Sequence, residues 1–398
     1  MKLLWFVSTL EDTNFLKEFS RFFKGDIEVF HLNYITPCDL LTKGFKSYFP
    51  RVSEKHRFTN VDVSRTFNVL AGRLTTQEAQ LAYSSTMQVL NRMEFSRDYV
   101  FVLPSGRHVH HVAATTYAKD NGISRLYINY ANFPGYVFFD SEGTDCLSSL
   151  YRDPSRLDRL YPEEVDVDGI FKYFSDLKEK QNTIPQAVQS KFKVRLKEVA
   201  FKIDSVLQRA FGLYGDRRIP LISKKTITTL EFQFDEIVDF SNSIFFPMQV
   251  STDQQVLMNY DGGSIYSAID EAVGIANKKK KTLIIREHPA ESKKIEMRRY
   301  LDLMRSKYCF VKVVCTPVPK LLDVVGEVIT INSTVGLEAR LKGKTVTFLG
   351  KSFYSKANDQ QIAKYLSRYF IPIDYHKPVM DEGIVNRILQ YSNSDNVL

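Results

Sequence analysis

Cysteine is scarce in this sequence. Four thiols, Cys38, Cys146, Cys309 and Cys315, are scattered irregularly over 398 residues. That spacing offers no metal knuckle, and the low count suits a reducing compartment in which the thiols are expected to sit buried. Long apolar runs are missing as well: no stretch approaches the roughly 18 residues needed to span a bilayer. The amino-terminal run Met1–Ser8 is cut off by Glu11 and Asp12, so it reads as a first strand rather than a signal peptide. A cytoplasmic location is the expectation. There is no internal repeat and no low-complexity tract. Aromatic residues are plentiful at 13%, but Phe and Tyr lie inside apolar patterns and form no single-strand-binding repeat, so nucleic acid is not an expected partner.

The chain is long enough for two cores, since single cores stop growing at roughly 250–300 residues. Its net charge of +8 suits an anionic partner: a sugar nucleotide or an anionic membrane surface. Two basic zones stand out. Lys278–Lys281 precedes an apolar run, where lysines also complement a helix end. Lys178, Lys180, Lys191, Lys193, Arg195 and Lys197 lie in a helical connector. Either zone would be drawn to anionic lipid by roughly 1 kcal/mol per residue near the surface, so peripheral contact with the cytoplasmic face of an inner membrane is an expectation.

From Ile244 to Gly350 short apolar runs alternate with helical patterns. The runs are Ile244–Val250, Thr282–Arg286, Cys309–Val314, Glu327–Ile331 and Thr345–Leu349, and Ile265, Ala268, Ile269 and Val273 mark one helix between them. Such alternation predicts an α/β fold with a doubly wound parallel sheet and helices on both faces. Ligands of these sheets sit beyond the carboxyl ends of the strands. The residues there are Gln249 and Asp253 after the first run, Glu287-His288-Pro289 after the second, and Asn332-Ser333-Thr334 after the fourth. Pro289 keeps His288 extended or turned at the rim, where its imidazole can donate to a phosphate. Ser333 and Thr334 open a helix whose first amides lack partners and carry positive charge, a seat for a phosphate as well as an ordinary N-cap. Asp253 is open to the same two readings, cap or site.

The first third also begins as an α/β unit. Leu3–Val7 and Ile27–Phe30 are strands, with Phe15, Leu16, Phe19, Phe22 and Phe23 at helical spacing between them. Gln77–Met93 is helical, Tyr99–Leu103 a strand, Val112 to Tyr117 a helix and Leu126–Asn129 a strand, while residues 37–68 show no clear pattern. Long charged helices are expected at Ile170–Lys180, Val188–Phe211 and Thr226–Phe232, then at Gln360–Phe370 and Asp381–Tyr391. Arg107-His108-Val109-His110-His111 gathers three of the seven histidines, but no acidic or cysteine partner accompanies them, so no metal site is expected.

Phe246-Pro247-Met248-Gln249 with Asp253, Ile285-Arg286-Glu287-His288-Pro289, the run Ile331 to Ala339 (which contains Glu338), Gly343-Lys344 and Phe348-Leu349-Gly350 together resemble the bacterial capsule polysaccharide synthesis family. That family includes β-Kdo transferases. The resemblance implies two Rossmann-like domains facing across a cleft in the GT-B arrangement, with a CMP-activated acidic sugar as donor, a glycolipid or polysaccharide as acceptor, and no cofactor. It implies an acceptor-side domain over 1–240, a nucleotide-sugar domain over 241–375, and a final helical segment, 376–398, returning to the first. Residue by residue, it makes Gln249 and Asp253 candidates for the sugar side, and His288, Pro289, Asn332, Ser333, Thr334 and Glu338 candidates for the nucleotide. Ser105, Gly106 and Arg107, at the tip after Leu103, would face sugar or acceptor, with Arg107 open to a carboxylate. Pro134, Gly135, Asp140 and Gly143 match a further family segment, but Asn129 and Ala131 stand where the family has Glu and Gly. A carboxylate can accept a proton or stabilise cationic charge, and Asn cannot. Either Asp140, Glu142 or Asp145 supplies the charge, or catalysis differs, or the chain is an inactive relative serving as a noncatalytic capsule assembly or export protein. The His-Pro and Ser-Thr pairs also resemble those of bacterial sialyltransferases, so a sialyltransferase-like or other polysaccharide glycosyltransferase is the remaining alternative.

Overall fold

The computed structural model describes residues 1–40, 43–52, 61–180, 191–215, 232–236, 239–291 and 293–392, with side chains of the Lys191–Ala210 helix from residue 199 onward. The expected helix Thr226–Phe232 falls almost wholly outside these residues, as do residues 188–190 of the expected Val188–Phe211 helix.

The chain forms two compact units. One comprises Met1–Glu164, Thr183–Ser223 and Lys364–Leu398, and the other Val165–Asn182 and Lys224–Ala363. The divisions differ from those the resemblance implied: the helix Val167–Lys180 belongs to the second unit, and the return to the first begins at Lys364 rather than 376.

The first unit holds β1 (Lys2–Val7), β2 (Asp26–His31), β3 (Lys46–Tyr48), β4 (Tyr99–Pro104), β5 (Ser124–Tyr130) and β6 (Val137–Asp140), in the spatial order β3-β2-β1-β4-β5-β6. All pairs are parallel except β5 with β6. That antiparallel edge was not foreseen. Only six residues separate the two strands, too few for the crossover a parallel neighbour needs. β1 is central and reads as a continuous apolar run, Leu3 to Val7, in which each residue is fully buried. This is the signature of a strand covered on both faces. The helix Leu10–Phe19 covers one face, with Phe15 and Phe19 against Trp5, and starts in a Thr9–Asp12 capping box. The helices Thr76–Met93 and Val109–Asp120 contribute Val89, Leu90, Ala114 and Tyr117 to the core that holds Leu4, Phe6 and Phe101.

The second unit holds β7 (Ser243–Pro247), β8 (Thr282–Arg286), β9 (Val311–Val314), β10 (Glu327–Thr330) and β11 (Thr345–Phe348), all parallel, in the order β11-β10-β7-β8-β9. One face buries Ile244, Phe246, Leu283 and Ile285 with residues of the helices Ile265–Lys279 and Lys294–Lys307. The other buries Phe245, Ile284 and Val328 with Leu321, Leu322 and Ala339. Burial contributes about 1.5–3 kcal/mol for each such side chain, and helices on both faces fix the direction of every strand tip. Strand order reverses at β7, which lies between β10 and β8. The crevice at that reversal is where such sheets bind ligands.

Among the described residues no helix is long and apolar enough to cross a membrane. Cys38, Cys309 and Cys315 are exposed and Cys146 is half-buried, so the expectation of buried thiols fails: Cys309 and Cys315 flank β9, Cys38 lies on the short helix Ile35–Leu40 and Cys146 in the single helical turn Asp145–Leu147, none of them on a core face.

Candidate functional site

The tips of β7, β8 and β10 bring together the carboxyl-half candidates. After β7 the chain passes through Gln249, which is buried, and reaches Asp253. The Gln249 Oε1 accepts the Asn332 backbone N–H at 3.2 Å, tying the β7 tip to the β10 tip across the point of reversal. Asn332 Nδ2 donates to Gln255 Oε1 at 2.8 Å, and Asn259 donates to that same oxygen. Asn332 Oδ1 is buried with no hydrogen-bond partner among the described residues, an acceptor facing the need for a donor.

Asp253 is an N-cap. Its carboxylate accepts the Gln255 N–H at 2.7 Å and starts the short helix Gln254–Asn259. The cap reading therefore holds, and it fixes the carboxylate beside His288, close enough for its charge to oppose the downward pull on the imidazole. His288 is half-buried, and that burial lowers its pKa, with Arg286 adding to the effect and Asp253 and Glu291 opposing it. Its Nδ1 accepts the Ala290 N–H at 3.1 Å. A nitrogen that accepts carries no proton, so the neutral ring holds its proton on Nε2, as a donor. Pro289 and Ala290 are exposed and close the turn.

Sequence reasoning passed over Glu291. It is buried, accepts from Ser251 N–H at 2.7 Å and Ser251 Oγ at 3.0 Å, and accepts the Lys293 N–H at 2.9 Å. One carboxylate thus clamps the loop after β7 to the loop after β8.

Ser333 caps the helix Thr334–Leu341, its Oγ accepting the Val335 N–H at 3.1 Å. Its hydroxyl is engaged with the helix it starts. Gly336 lies one turn in, where an added Cβ would come within 2.7 Å of both the Phe348 ring and the Thr330 methyl. The helix start can approach β10 and β11 only with glycine there. Glu338, next along, pairs with Lys178 at 3.2 Å and its carboxyl is pushed up by burial, which that lysine opposes. It is turned to an ion pair within the unit rather than to the strand tips. Lys279 and Lys281 pair with Glu327, which accounts for half of the Lys278–Lys281 run. The side chains of Lys191, Lys193, Arg195 and Lys197 lie outside the described residues.

In the first unit, the tip after β4 is a tight left-handed pair, Ser105 at φ 67° and Gly106 at φ 71°. A Cβ on Gly106 would meet the Tyr127 ring at 2.5 Å. Arg107 overturns its expected role. Its side chain is 1% exposed, donates to the Thr144 carbonyl at 2.7 Å and lies 3.5 Å from Asp145, so it braces the loop after β6 instead of meeting a ligand carboxylate. Asp140 is likewise turned inward. It accepts from the N–H groups of Glu142, Gly143 and Ser149 and from the Ser149 hydroxyl at 2.6 Å, and burial raises its pKa against those bonds. Glu142 pairs with Arg152. Asn129 Oδ1 accepts the N–H of Tyr130 at 2.9 Å. His110 Nε2 meets the Tyr214 carbonyl at 2.7 Å and its Nδ1 meets Thr86 Oγ1 at 2.7 Å, while His111 is buried against Phe6. These rings are parts of the core.

Comparison with solved structures returns KpsC of Thermosulfurimonas dismutans twice. Its β-Kdo 2,7 transferase aligns with TM-score 0.44 and 12% identity over 99% of this chain and 100% of that one. Its β-Kdo 2,4 transferase aligns with TM-score 0.37 and 14% identity over 73% and 86%. A UDP-GlcNAc 2-epimerase from Neisseria meningitidis aligns with TM-score 0.27 and 13% identity over 98% and 99%. No curated protein matches by sequence. Residues 227–363, which carry β7 to β11 and every strand-tip candidate of the second unit, match the model of the family described as capsule polysaccharide biosynthesis protein.

Proposed function

We propose that this chain is a glycosyltransferase that moves a CMP-activated acidic sugar, Kdo first among the choices, onto a glycolipid or polysaccharide acceptor in capsule or lipopolysaccharide synthesis. The observation that carries this reading is the meeting of Gln249, Asp253, His288 and the Thr334–Leu341 helix start at the reversal point of a parallel sheet, inside the segment that matches the capsule family. Such an enzyme works in the cytoplasm, with contact to the anionic inner face of the membrane where its acceptor lies.

In the reaction the bond between the anomeric carbon and the phosphate oxygen breaks, and the electron pair leaves with CMP. Charge grows on that phosphate. The His288 Nε2–H supplies a donor fixed in advance, and the positive end of the Thr334–Leu341 helix, whose Val335 and Gly336 N–H groups donate to Ser333, adds its dipole, so both stabilise a developing charge without reorganisation. Thr334 adds a hydroxyl beside them. Asp253, held by its cap, offers a carboxylate to the oxocarbenium-like carbon, either as the nucleophile of a two-step retaining transfer or as its electrostatic partner. Asn332 Oδ1 would accept from a hydroxyl or amino group of the donor.

Asp253→Asn separates the two uses of that residue. Asn caps helices about as well as Asp, so the fold and CMP affinity should persist while transfer from CMP-Kdo is abolished. Normal turnover by this variant would remove Asp253 from the chemistry. Asn129 favours a second reading, a noncatalytic capsule assembly or export protein with weak or absent nucleotide binding. The neighbouring carboxylates Asp140 and Glu142 are engaged by Ser149 and Arg152, and Asp145 lies against the buried Arg107. Calorimetric titration with CMP and a donor screen with CMP-Kdo and CMP-sialic acid separate the readings: no CMP binding by the intact, folded protein selects the second, and saturable binding with donor turnover excludes it.

A further inference from the structure

Arg286 ends β8, two residues before His288. Leu283 and Ile285 point to one face of the sheet and Ile284 to the other. By alternation Arg286 leaves the sheet on the side of Ile284, at the carboxyl edge where ligands sit. The side chain is half-buried, and its Nε donates to the Thr316 carbonyl at 2.8 Å. Among the described residues it has no carboxylate partner and no other side-chain hydrogen bond.

The neighbouring arginines behave differently. Arg298 pairs with Glu287, Arg305 with Asp302 and Arg340 with Asp359. A guanidinium stays charged in proteins, and half-burying it without a counterion is unfavourable. The single bond through Nε also orients the planar group and leaves the Nη atoms for a bidentate partner, which is the geometry in which arginine grips phosphate and carboxylate. Burial lowers the Arg286 pKa, which expresses the same missing charge. The titratable groups facing it from the adjoining tips are His288, with Asp253 near that ring, and the Cys315 thiol.

We infer that Arg286 is an oxyanion subsite for the donor, gripping either its phosphate or the carboxylate of its acidic sugar beside His288. The inference rests on the CMP-sugar reading for the identity of the ligand, but not for the existence of the anion site.

The test compares the intact protein with Arg286→Gln and Arg286→Lys. Each is titrated calorimetrically with cytidine, CMP and CMP-sialic acid, and melted with and without inorganic phosphate. If Arg286 takes the phosphate, Arg286→Gln weakens CMP at least about tenfold and leaves cytidine unchanged. If it takes the carboxylate, CMP is unchanged and CMP-sialic acid weakens by about that factor. Arg286→Lys, which keeps charge without the fork, should recover part of the loss. In anion-free buffer Arg286→Gln should melt no lower than the wild type, and phosphate should raise the wild-type Tm alone. A wild type that binds no cytidine nucleotide yet gains Tm from phosphate through Arg286 keeps the subsite and sinks the donor reading. Equal affinities and equal phosphate responses in wild type and Arg286→Gln overturn the inference, as does an Arg286→Gln protein that melts well below wild type without anions.

Discussion

Glu291→Gln is the sharpest perturbation of the strand-tip architecture, because it alters one atom in a buried clamp. Oε1 of Glu291 receives Ser251 Oγ and the Lys293 N–H, and Oε2 receives the Ser251 N–H. A glutamine can keep the first two, but its NH2 group then faces the Ser251 N–H, donor against donor. A hydrogen bond to a charged group contributes about 1.5–3 kcal/mol, and the two that survive lose their charge-assisted strength, roughly half of it. Together these losses come to about 3 kcal/mol of local stability, which is roughly two decades in an opening equilibrium. Amide hydrogen exchange reads this directly. The Ser251 and Lys293 amides should exchange about a hundredfold faster, whereas the buried amides of β1 in the first unit should be unaffected. CMP affinity should fall with it, since the clamp holds the loops that carry Asp253 and His288. Exchange at Ser251 and Lys293 within about threefold of wild type would show that the clamp carries no such load, and the reasoning from burial and bond count would fail.

Other outcomes follow from the same geometry. His288→Ala should weaken CMP by about tenfold, or about 1.4 kcal/mol, in calorimetric titration, and unchanged affinity would take the ring away from the phosphate. Gly336→Val should force the Thr334–Leu341 helix off Phe348 and Thr330, destabilising the second unit by about 1–3 kcal/mol in denaturant unfolding and weakening CMP; a variant as stable as wild type would mean that the helix start has room to spare. Acid should unfold the first unit early. His31 and His110 have pKa values lowered to about 4 and His111 to about 3, each mainly by burial. The folded state thus favours the neutral rings, so their stabilisation is complete above the unfolded value of about 6.5 and is lost as pH falls from there towards 4. Each ring accounts for about 3 kcal/mol over that window. The single tryptophan, Trp5, is fully buried in that unit, so its fluorescence can follow the denaturation midpoint. A midpoint that stays level from about pH 7 to pH 4.5 would contradict the assignment.

Most of the parallel strands were legible because their chemistry is blunt; β3, three residues long within the unpatterned stretch 37–68, was not. Leu3–Val7 and Ile244–Pro247 are unbroken apolar runs, and only strands covered on both faces tolerate that. The antiparallel β6 was not legible, since Val137–Asp140 is four residues long and nothing in its composition states its direction. Side-chain direction was the other limit. Arg107 stands at a strand tip beside a left-handed turn, as a ligand residue would, and only the fold shows that its guanidinium is drawn inward by Thr144 and Asp145. Asp140 misleads in the same manner, because a carboxylate that organises a loop and one that performs chemistry share a letter. Glu291 was missed for the opposite reason. A lone Glu three residues beyond His288 carries no pattern, and its role exists only once β7 and β8 lie side by side. Asp253 is the intermediate case: the sequence allowed both cap and site, and the cap is what holds the carboxylate near His288.

The first unit is not continuous along the chain, and this sets an order of events during synthesis. Ile371 exchanges two backbone hydrogen bonds with Val137 of β6, the Tyr375 hydroxyl donates to Asp12 at 2.7 Å, and Tyr391 stacks on Phe139. A ribosome that has just made Ala363 has delivered the whole of the second unit, whereas the first still lacks these residues and leaves the edge of β6 unpaired. The unit begun first is therefore completed last, and for as long as it takes to translate residues 364–391 its open edge and bare aromatic rings are exposed to other chains. Chains interrupted in that interval would be the ones a cell must shield or destroy.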